Sequence, residues 1–387
     1  MERDAAVSVP TLTVAEAERH TDECLALLRA LVECESPTGD QEGNLEVAAV
    51  LEDAMVRAGG KVERIPAPGL GVHLLGRFSG VGRDRGPILV MGHMDTVHPA
   101  GTLQRLPFAH VGGEVRGPGI YDMKSGLAVT LAALRILAGK QRGPASDVTV
   151  FVTCDEERGS PHSRKRIEAE ARAHRAALVP EPSAPGGALK TRRKGVSAYV
   201  LEVAGRAAHA GIEPEAGASA IHELARQVCG ICDLADPDAG TSVNVGVIKG
   251  GTVENVVADA ASCGIDVRFF VNTESDRVDT ALRSFVAFDK RCTLTLKGGL
   301  NRGALEKSEA SSLIVKQART LAARLGFELG EESTGGASDG NLISAVGCPT
   351  LDGLGPDGGG AHTLFEHILV DDLPRRIALF AALFESL

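Results

Sequence analysis

The sequence predicts an α/β protein: one domain built on a mixed, mostly parallel sheet flanked by helices, interrupted by an inserted α+β domain. Three observations carry that expectation. Short apolar runs recur at 72–78, 87–91 (PILVM), 147–153 (DVTVFVT) and 176–179 (AALV), and helical stretches at 123–139 and 160–173 separate the last three. The texture then changes near 186–190 (GGALK) to strands and helices with antiparallel character, continuing to about residue 298. Finally, 387 residues exceed one ordinary core, and the landmark histidines His93 and His362, far apart in sequence, stand on either side of the changed stretch. The predicted division is therefore 1–188 with 299–387 as one domain and 189–298 as the insertion.

In order along the chain, residues 12–34 and 41–58 alternate apolar and charged positions at helical spacing, the second stretch ending at Gly59-Gly60. The four apolar runs follow. Within the insertion the pattern reads strand (196–204), helix (215–233), strands (242–249 and 260–270), helix (276–288) and strand (292–297). A helix over 309–325, a loop at Gly335-Gly336, the His362 loop and a helix over 373–386 complete the chain. No internal repeat or low-complexity tract interrupts it.

Hydrophobic content of 43% and charged content of 24% fit an ordinary globular protein, and the 46 glycines suit tight loops around strand ends. A formal charge of −10 argues against a nucleic-acid partner. The only dense basic cluster, Lys190, Arg192, Arg193 and Lys194, reads as a solvated turn or rim. No run of about 18 apolar residues suggests a membrane span, and the start MERDAAVSVPTLTVAEAERH lacks a secretion signal, so a cytoplasmic protein is expected. Eight scattered cysteines fit reduced thiols. Cys229 and Cys232 form a CGIC pair inside a predicted helix, where two core-facing thiols are expected rather than a zinc or redox site.

Chemistry concentrates in an ordered set of landmarks. His93 and Asp95 (GHMDTV) follow the PILVM run. Asp122 lies in the glycine-bracketed GPGIYDMKSG, Glu156 and Glu157 follow DVTVFVT, Glu181 follows AALV, and His362 follows three glycines. In a parallel sheet, ligands bind beyond the carboxyl ends of the strands, so three separate segments deliver donors to one edge. Two histidines and three carboxylates, with a spare carboxylate, suffice to hold two metal ions and activate a water. Each piece has an ordinary reading: a hydrogen-bonded strand-end histidine for His93, a helix cap for Asp122, a solvated acidic turn for Glu156-Glu157. Asp95 suits a ligand, an orienting partner of His93, or the orienter of the base. His98, His110 and His367 lack a comparable setting and read as surface or structural residues.

The order HxDTV, GxxxDMK, DEExGS, EP and GGGxH resembles the M20 family of zinc peptidases and amidohydrolases, within it the glutamate carboxypeptidase branch, from about residue 20 onward. The resemblance implies two zinc ions, with cobalt or manganese as alternatives. His93, Asp122 and Glu181 would hold one, and Asp122, Glu157 and His362 the other. It makes Glu156 the proton-transferring base and puts Asp95 behind His93. It also makes the insertion a lid that mediates a homodimer. His209 (GRAAHAG) would polarise the scissile carbonyl across the dimer, and Asn255, Arg268, Arg302 and Gly336 would hold the substrate's carboxylate end; a surface ion pair is the ordinary alternative for Arg302. Ser125, where glycine is frequent, and the segment Ala337-Ser338-Asp339 depart from the family pattern. The implied reaction is hydrolysis of an amide beside a free carboxylate, releasing C-terminal glutamate or a similar amino acid. Alternatives are deacylation of N-acetylornithine or N-succinyl-diaminopimelate, and a catalytically silent metal-binding dimerisation module. Against the last stands the spare carboxylate of Glu156.

Overall fold

The computed structural model describes residues 10–82, 85–140 and 142–387; residues 1–9 of the stretch judged for a secretion signal lie outside these. The chain forms two compact units. The first runs to Thr191 and resumes at Lys307–Thr334 and Ser338–Leu387; the second comprises Arg192–Glu306 and Gly335–Ala337. The second unit thus extends beyond the expected end at 298, because its last strand, Thr293–Arg302, continues along its partner strand as far as Arg302.

The first unit is organised by an eight-stranded sheet in the order Lys61–Ala67, Gly71–Phe78, Val148–Thr153, Ile88–His93, Ala176–Val179, Thr350–Asp352, Leu189–Arg193, Glu331–Thr334. Its centre is parallel: Ile88–His93 pairs in parallel with Val148–Thr153 and Ala176–Val179, and Thr350–Asp352 with Ala176–Val179. Antiparallel pairings flank this centre. The strands Ile88–His93, Val148–Thr153 and Ala176–Val179 are buried along their whole length, as expected for strands covered on both faces. The helix Ser125–Gly139 is apolar nearly all round and sits in the core with the terminal helix Leu373–Ser386. Gly126 permits a close approach, since a Cβ there would lie 1.8 Å from the carbonyl oxygen of Pro180.

A small second sheet, ordered Gly358–Gly359, His367–Leu369, Glu114–Arg116, Ala109–Val111, was not legible in the sequence. Its register pairs His367 with Arg116 and Ile368 with Val115, which brings the His362 loop beside the Asp122 loop.

The second unit is an antiparallel sheet, ordered Ser242–Gly250, Ala260–Phe269, Gly195–Ala204, Thr293–Arg302, with the helices Ala220–Cys232 and Asn272–Arg283. Strict alternation along Gly195–Ala204 and Ala260–Phe269 buries Tyr199, Leu201, Val203, Ile265 and Val267 against Leu224, Ile231 and Val278 from the helices.

Several expectations are corrected. The stretch 12–34 forms two helices, Val14–Glu18 and Thr21–Glu33. The predicted helix from 215 begins at Ala220, where Ser219 caps it, because Pro214 and Gly217 occupy a turn. Cys229 and Cys232 are exposed, since the buried face of their helix is Ala220, Glu223, Leu224, Gln227 and Ile231. The basic cluster is no solvated turn: Leu189–Arg193 is a strand of alternating burial, Arg193 is buried, and Arg192 and Lys194 lie over the Phe270 ring. Among the described residues, no helix is long and apolar enough to cross a membrane.

Candidate active site

The parallel centre of the sheet dictates where the site lies. His93 is the last residue of its strand, Glu156 and Glu157 follow Thr153 closely, and Glu181 comes two residues after Val179. These three strands are mutually parallel neighbours, so all four side chains leave from one edge. Asp122 does not cap a helix. The helix behind it begins at Ser125, its cap position is Lys124, and Asp122 itself has extended backbone angles (φ −113°, ψ 95°). His362 has φ +64°, a left-handed conformation unusual outside glycine and the kind of local strain that clusters at functional sites.

The geometry centres on Asp122. Its Oδ1 lies 3.2 Å from His93 Nε2, and its Oδ2 lies 3.3 Å from His362 Nε2, so each oxygen faces one histidine. Each histidine has a second carboxylate of its own. Glu181 Oε1 is 3.5 Å from His93 Nε2, and Glu157 Oε2 is 3.4 Å from His362 Nε2. One donor atom each from His93, Asp122 and Glu157 all lie within 4.8 Å of one another.

Asp95 acts differently from the simplest expectation. The nearest acceptor for His93 Nδ1 is the Asp95 backbone carbonyl at 2.9 Å, while the Asp95 carboxylate is 3.5 Å away. A carbonyl only accepts, so Nδ1 carries a proton and Nε2 is the atom turned toward Asp122. The Asp95 carboxylate instead accepts the backbone N–H groups of Glu156 and Glu157, both at 3.2 Å. Thr38, which the sequence did not single out, donates its hydroxyl to Asp95 at 2.7 Å. Ser160 and Asp339 hydrogen-bond behind the same turn, which gives the Ala337-Ser338-Asp339 departure a structural role. Thr38 has no sequence signal of its own, because it works through a contact between distant segments.

Electrostatics reflect crowding. Burial pushes Glu157 up to about 8, with Asp122 and Glu156 adding repulsion. Its Oε1 is buried with no hydrogen-bond partner among the described residues. The hydrogen bond to Asp122 is the main reason His362 is raised to about 9. Burial opposes ionisation of Asp122 and His93 alike. Hydrogen bonds with both histidines nonetheless hold Asp122 well below the carboxylate range, and Asp122, Asp95 and Glu181 raise His93 well above the imidazole range.

The other predicted residues are carried by the second unit. His209 and Asn255 lie on adjoining segments, with Ala210 N–H donating to the Asn255 carbonyl at 3.0 Å. Arg268 forks onto Asp266, Nε at 2.8 Å and Nη2 at 3.0 Å. Arg302 is buried, which overturns the surface-pair reading. The Gly336 carbonyl accepts from Arg193 Nη1 at 3.3 Å.

Two histidines, one at the parallel sheet edge and one on the hairpin loop of the small sheet, each with its own carboxylate and a third shared between them, form the donor set that metal-dependent hydrolases use. The chain belongs to peptidase family M20/M25/M40, whose profile matches residues 89–386. It is 32% identical over 377 residues to a carboxypeptidase G2 from Pseudomonas sp. (strain RS-16), covering 95% of this chain and 90% of that protein. It is 28% identical over 373 residues to a succinyl-diaminopimelate desuccinylase from Delftia acidovorans (strain DSM 14801 / SPH-1), covering 90% and 94%. The fold matches the crystal structure of the aminopeptidase PepT from Bacillus cereus ATCC 10987 with a TM-score of 0.80 at 23% identity, covering 96% and 98%. The protein is an M20 hydrolase.

Proposed function

We propose that this hydrolase works with two divalent cations, zinc by preference, and cleaves an amide bond next to a free carboxylate, releasing glutamate or a similar C-terminal amino acid. One observation carries the reading: the Asp122 carboxylate spans two histidine–glutamate pairs at 3.2–3.5 Å. Zinc bonds of about 2.0–2.2 Å in tetrahedral array put neighbouring donors about 3.3–3.6 Å apart. The pairs therefore fit ligands of a common ion at least as well as hydrogen bonds to one another. The partnerless buried oxygen of Glu157 fits the same account, since a cation would replace the missing partner. His93, Asp122 and Glu181 would hold one ion, and Asp122, Glu157 and His362 the other. What the cations supply when bound is Lewis acidity toward the carbonyl and a water acidified toward neutrality.

The chain's own residues do the rest. Glu156 takes a proton from the attacking water and returns it to the departing amine nitrogen, so that cleavage of the C–N bond gives a carboxylic acid and an amine. Asp95 holds the Glu156-Glu157 turn in register through its two backbone N–H groups. His209 polarises the carbonyl, and Asn255, Arg268, Arg302 and Gly336 receive the substrate's carboxylate end. The second unit would serve as lid and dimer contact, with His209 acting on the other protomer. Eight free thiols fit a cytoplasmic setting.

Uptake of cations requires neutral histidines and an ionised Glu157, so it releases protons. With Glu157 at about 8 and His362 at about 9, protons compete below those values. Zinc affinity should therefore climb as pH rises toward about 9, as calorimetry in buffers of differing ionisation enthalpy would read. An affinity flat from about pH 6 to 9 would contradict this.

Arg268→Ala should raise KM for substrates with a free carboxylate and alter an amidated analogue far less. Since Asp266 already takes Nε and Nη2, the effect should be modest, about two- to fivefold. Equal effects on both substrates would remove Arg268 from the pocket.

The reading is tested with a matched panel: an N-acylglutamate, a folate-type glutamyl amide, a dipeptide, N-acetylornithine and N-succinyl-diaminopimelate, each with and without chelator. Chelator-sensitive release of glutamate is the expected result. Cleavage of the succinyl compound alone would favour the deacylase reading, which the desuccinylase relative supports. No cleavage of any compound would contradict both.

A further inference from the structure

Four residues after His362, Glu366 is fully buried and both its oxygens are engaged. Oε1 accepts the backbone N–H groups of Tyr121 and Asp122, each at 2.9 Å. Oε2 accepts the N–H of Gly119 at 2.8 Å and lies 2.6 Å from Nε2 of His98, itself 7% exposed. An ionised carboxylate only accepts, so His98 Nε2 carries a proton and donates it. Gly119 turns the loop in a left-handed conformation (φ +69°), where a Cβ would lie 2.4 Å from the Thr96 methyl. Glycine is thus what lets the loop pass so close to Thr96, while Glu366 holds its backbone amides from the other side.

A buried carboxylate without partners is costly, and three backbone N–H groups and an imidazole remove that cost. Many proteins brace loops this way. What distinguishes Glu366 is which segments it joins. It holds the amide of Asp122, the carboxylate facing both histidines. It also belongs to the hairpin, Gly358–Gly359 with His367–Leu369, that carries His362. His93, by contrast, is fixed by its own buried strand and by the Asp95 carbonyl.

We propose that Glu366, braced by His98, is a positioning residue that sets the separation of Asp122 and His362, and so controls occupancy of the cation site those two share with Glu157. This rests on the two-cation reading of the centre. The prediction is asymmetric: disturbing Glu366 weakens the His362 site and largely spares the His93 site.

The test is a titration of the metal-stripped chain with Co²⁺, followed by visible absorption, with circular dichroism checking the fold. Two equivalents are expected for the unaltered chain. Glu366→Gln sets an amide N–H₂ against backbone N–H donors. It should weaken the second equivalent about 10–100-fold, the range for partners behind metal ligands, and shift the first by less than about threefold. Glu223→Gln is the control. That buried carboxylate of the second unit accepts the N–H groups of Phe288 and Asp289 at 3.0 and 2.9 Å, and its loss should leave both equivalents intact. Unchanged binding in Glu366→Gln, or equal loss of both equivalents, would overturn the proposal. Should that variant not fold, His98→Leu against His98→Gln decides: weakening in the first, restored by the donor in the second, supports it, and equal affinities overturn it. Fewer than two equivalents on the unaltered chain would instead refute the two-cation reading, and the proposal with it.

Discussion

Glu156→Gln should keep both cations bound and lower kcat by about 10²–10⁴-fold, the usual contribution of a positioned general base. The substitution preserves size and leaves the backbone N–H of residue 156 on Asp95, so the turn that carries Glu157 stays in place. Glu157 is the carboxylate found 3.4 Å from His362. The check pairs kcat with the metal content of the same sample. Loss of an ion alongside loss of rate would move Glu156 among the ligands and remove the division of labour between the adjacent glutamates.

Asp122→Asn should weaken both cations together, by more than the roughly 10–100-fold that removal of a partner behind the ligands costs. Asp122 is the side chain that faces both histidines, one oxygen to each, and the amide retains a single acceptor oxygen of lower charge. The substitution also removes the main cause of the raised His362 pKa, which should fall toward the ordinary imidazole value. Metal analysis and histidine titration by NMR check the two effects. Loss of only one ion from this variant would mean the ligand sets are not joined through Asp122.

How much of this was legible in the sequence follows from how local each feature is. The buried strands Ile88–His93, Val148–Thr153 and Ala176–Val179 announced themselves as short apolar runs, and with them the shared edge that presents His93, Glu156, Glu157 and Glu181. Asp122 and His362 stood out only in company with those residues. What the chain did not announce were pairings of few residues and contacts between distant segments. The three-residue strands Glu114–Arg116 and His367–Leu369 are too short to carry a pattern, yet they bring the two loops together. Asp95 was read as a ligand, a partner of the His93 ring or the orienter of the base; that its carboxylate accepts from the backbone of the Glu156-Glu157 turn, some sixty residues away, is a contact no spacing rule encodes. The exposed CGIC pair failed for a simpler reason: Glu223 and Gln227, two polar residues, occupy the buried face where thiols were expected, satisfied by each other and by the backbone of Val286, Phe288 and Asp289.

The decisive measurement is hydrolysis of an N-acylglutamate by one sample, followed as purified, after stripping with chelator and after stepwise return of zinc. Stripping should abolish release of glutamate, and activity should return in full only as the second equivalent of zinc is added. A rate indifferent to stripping would contradict the two-cation mechanism.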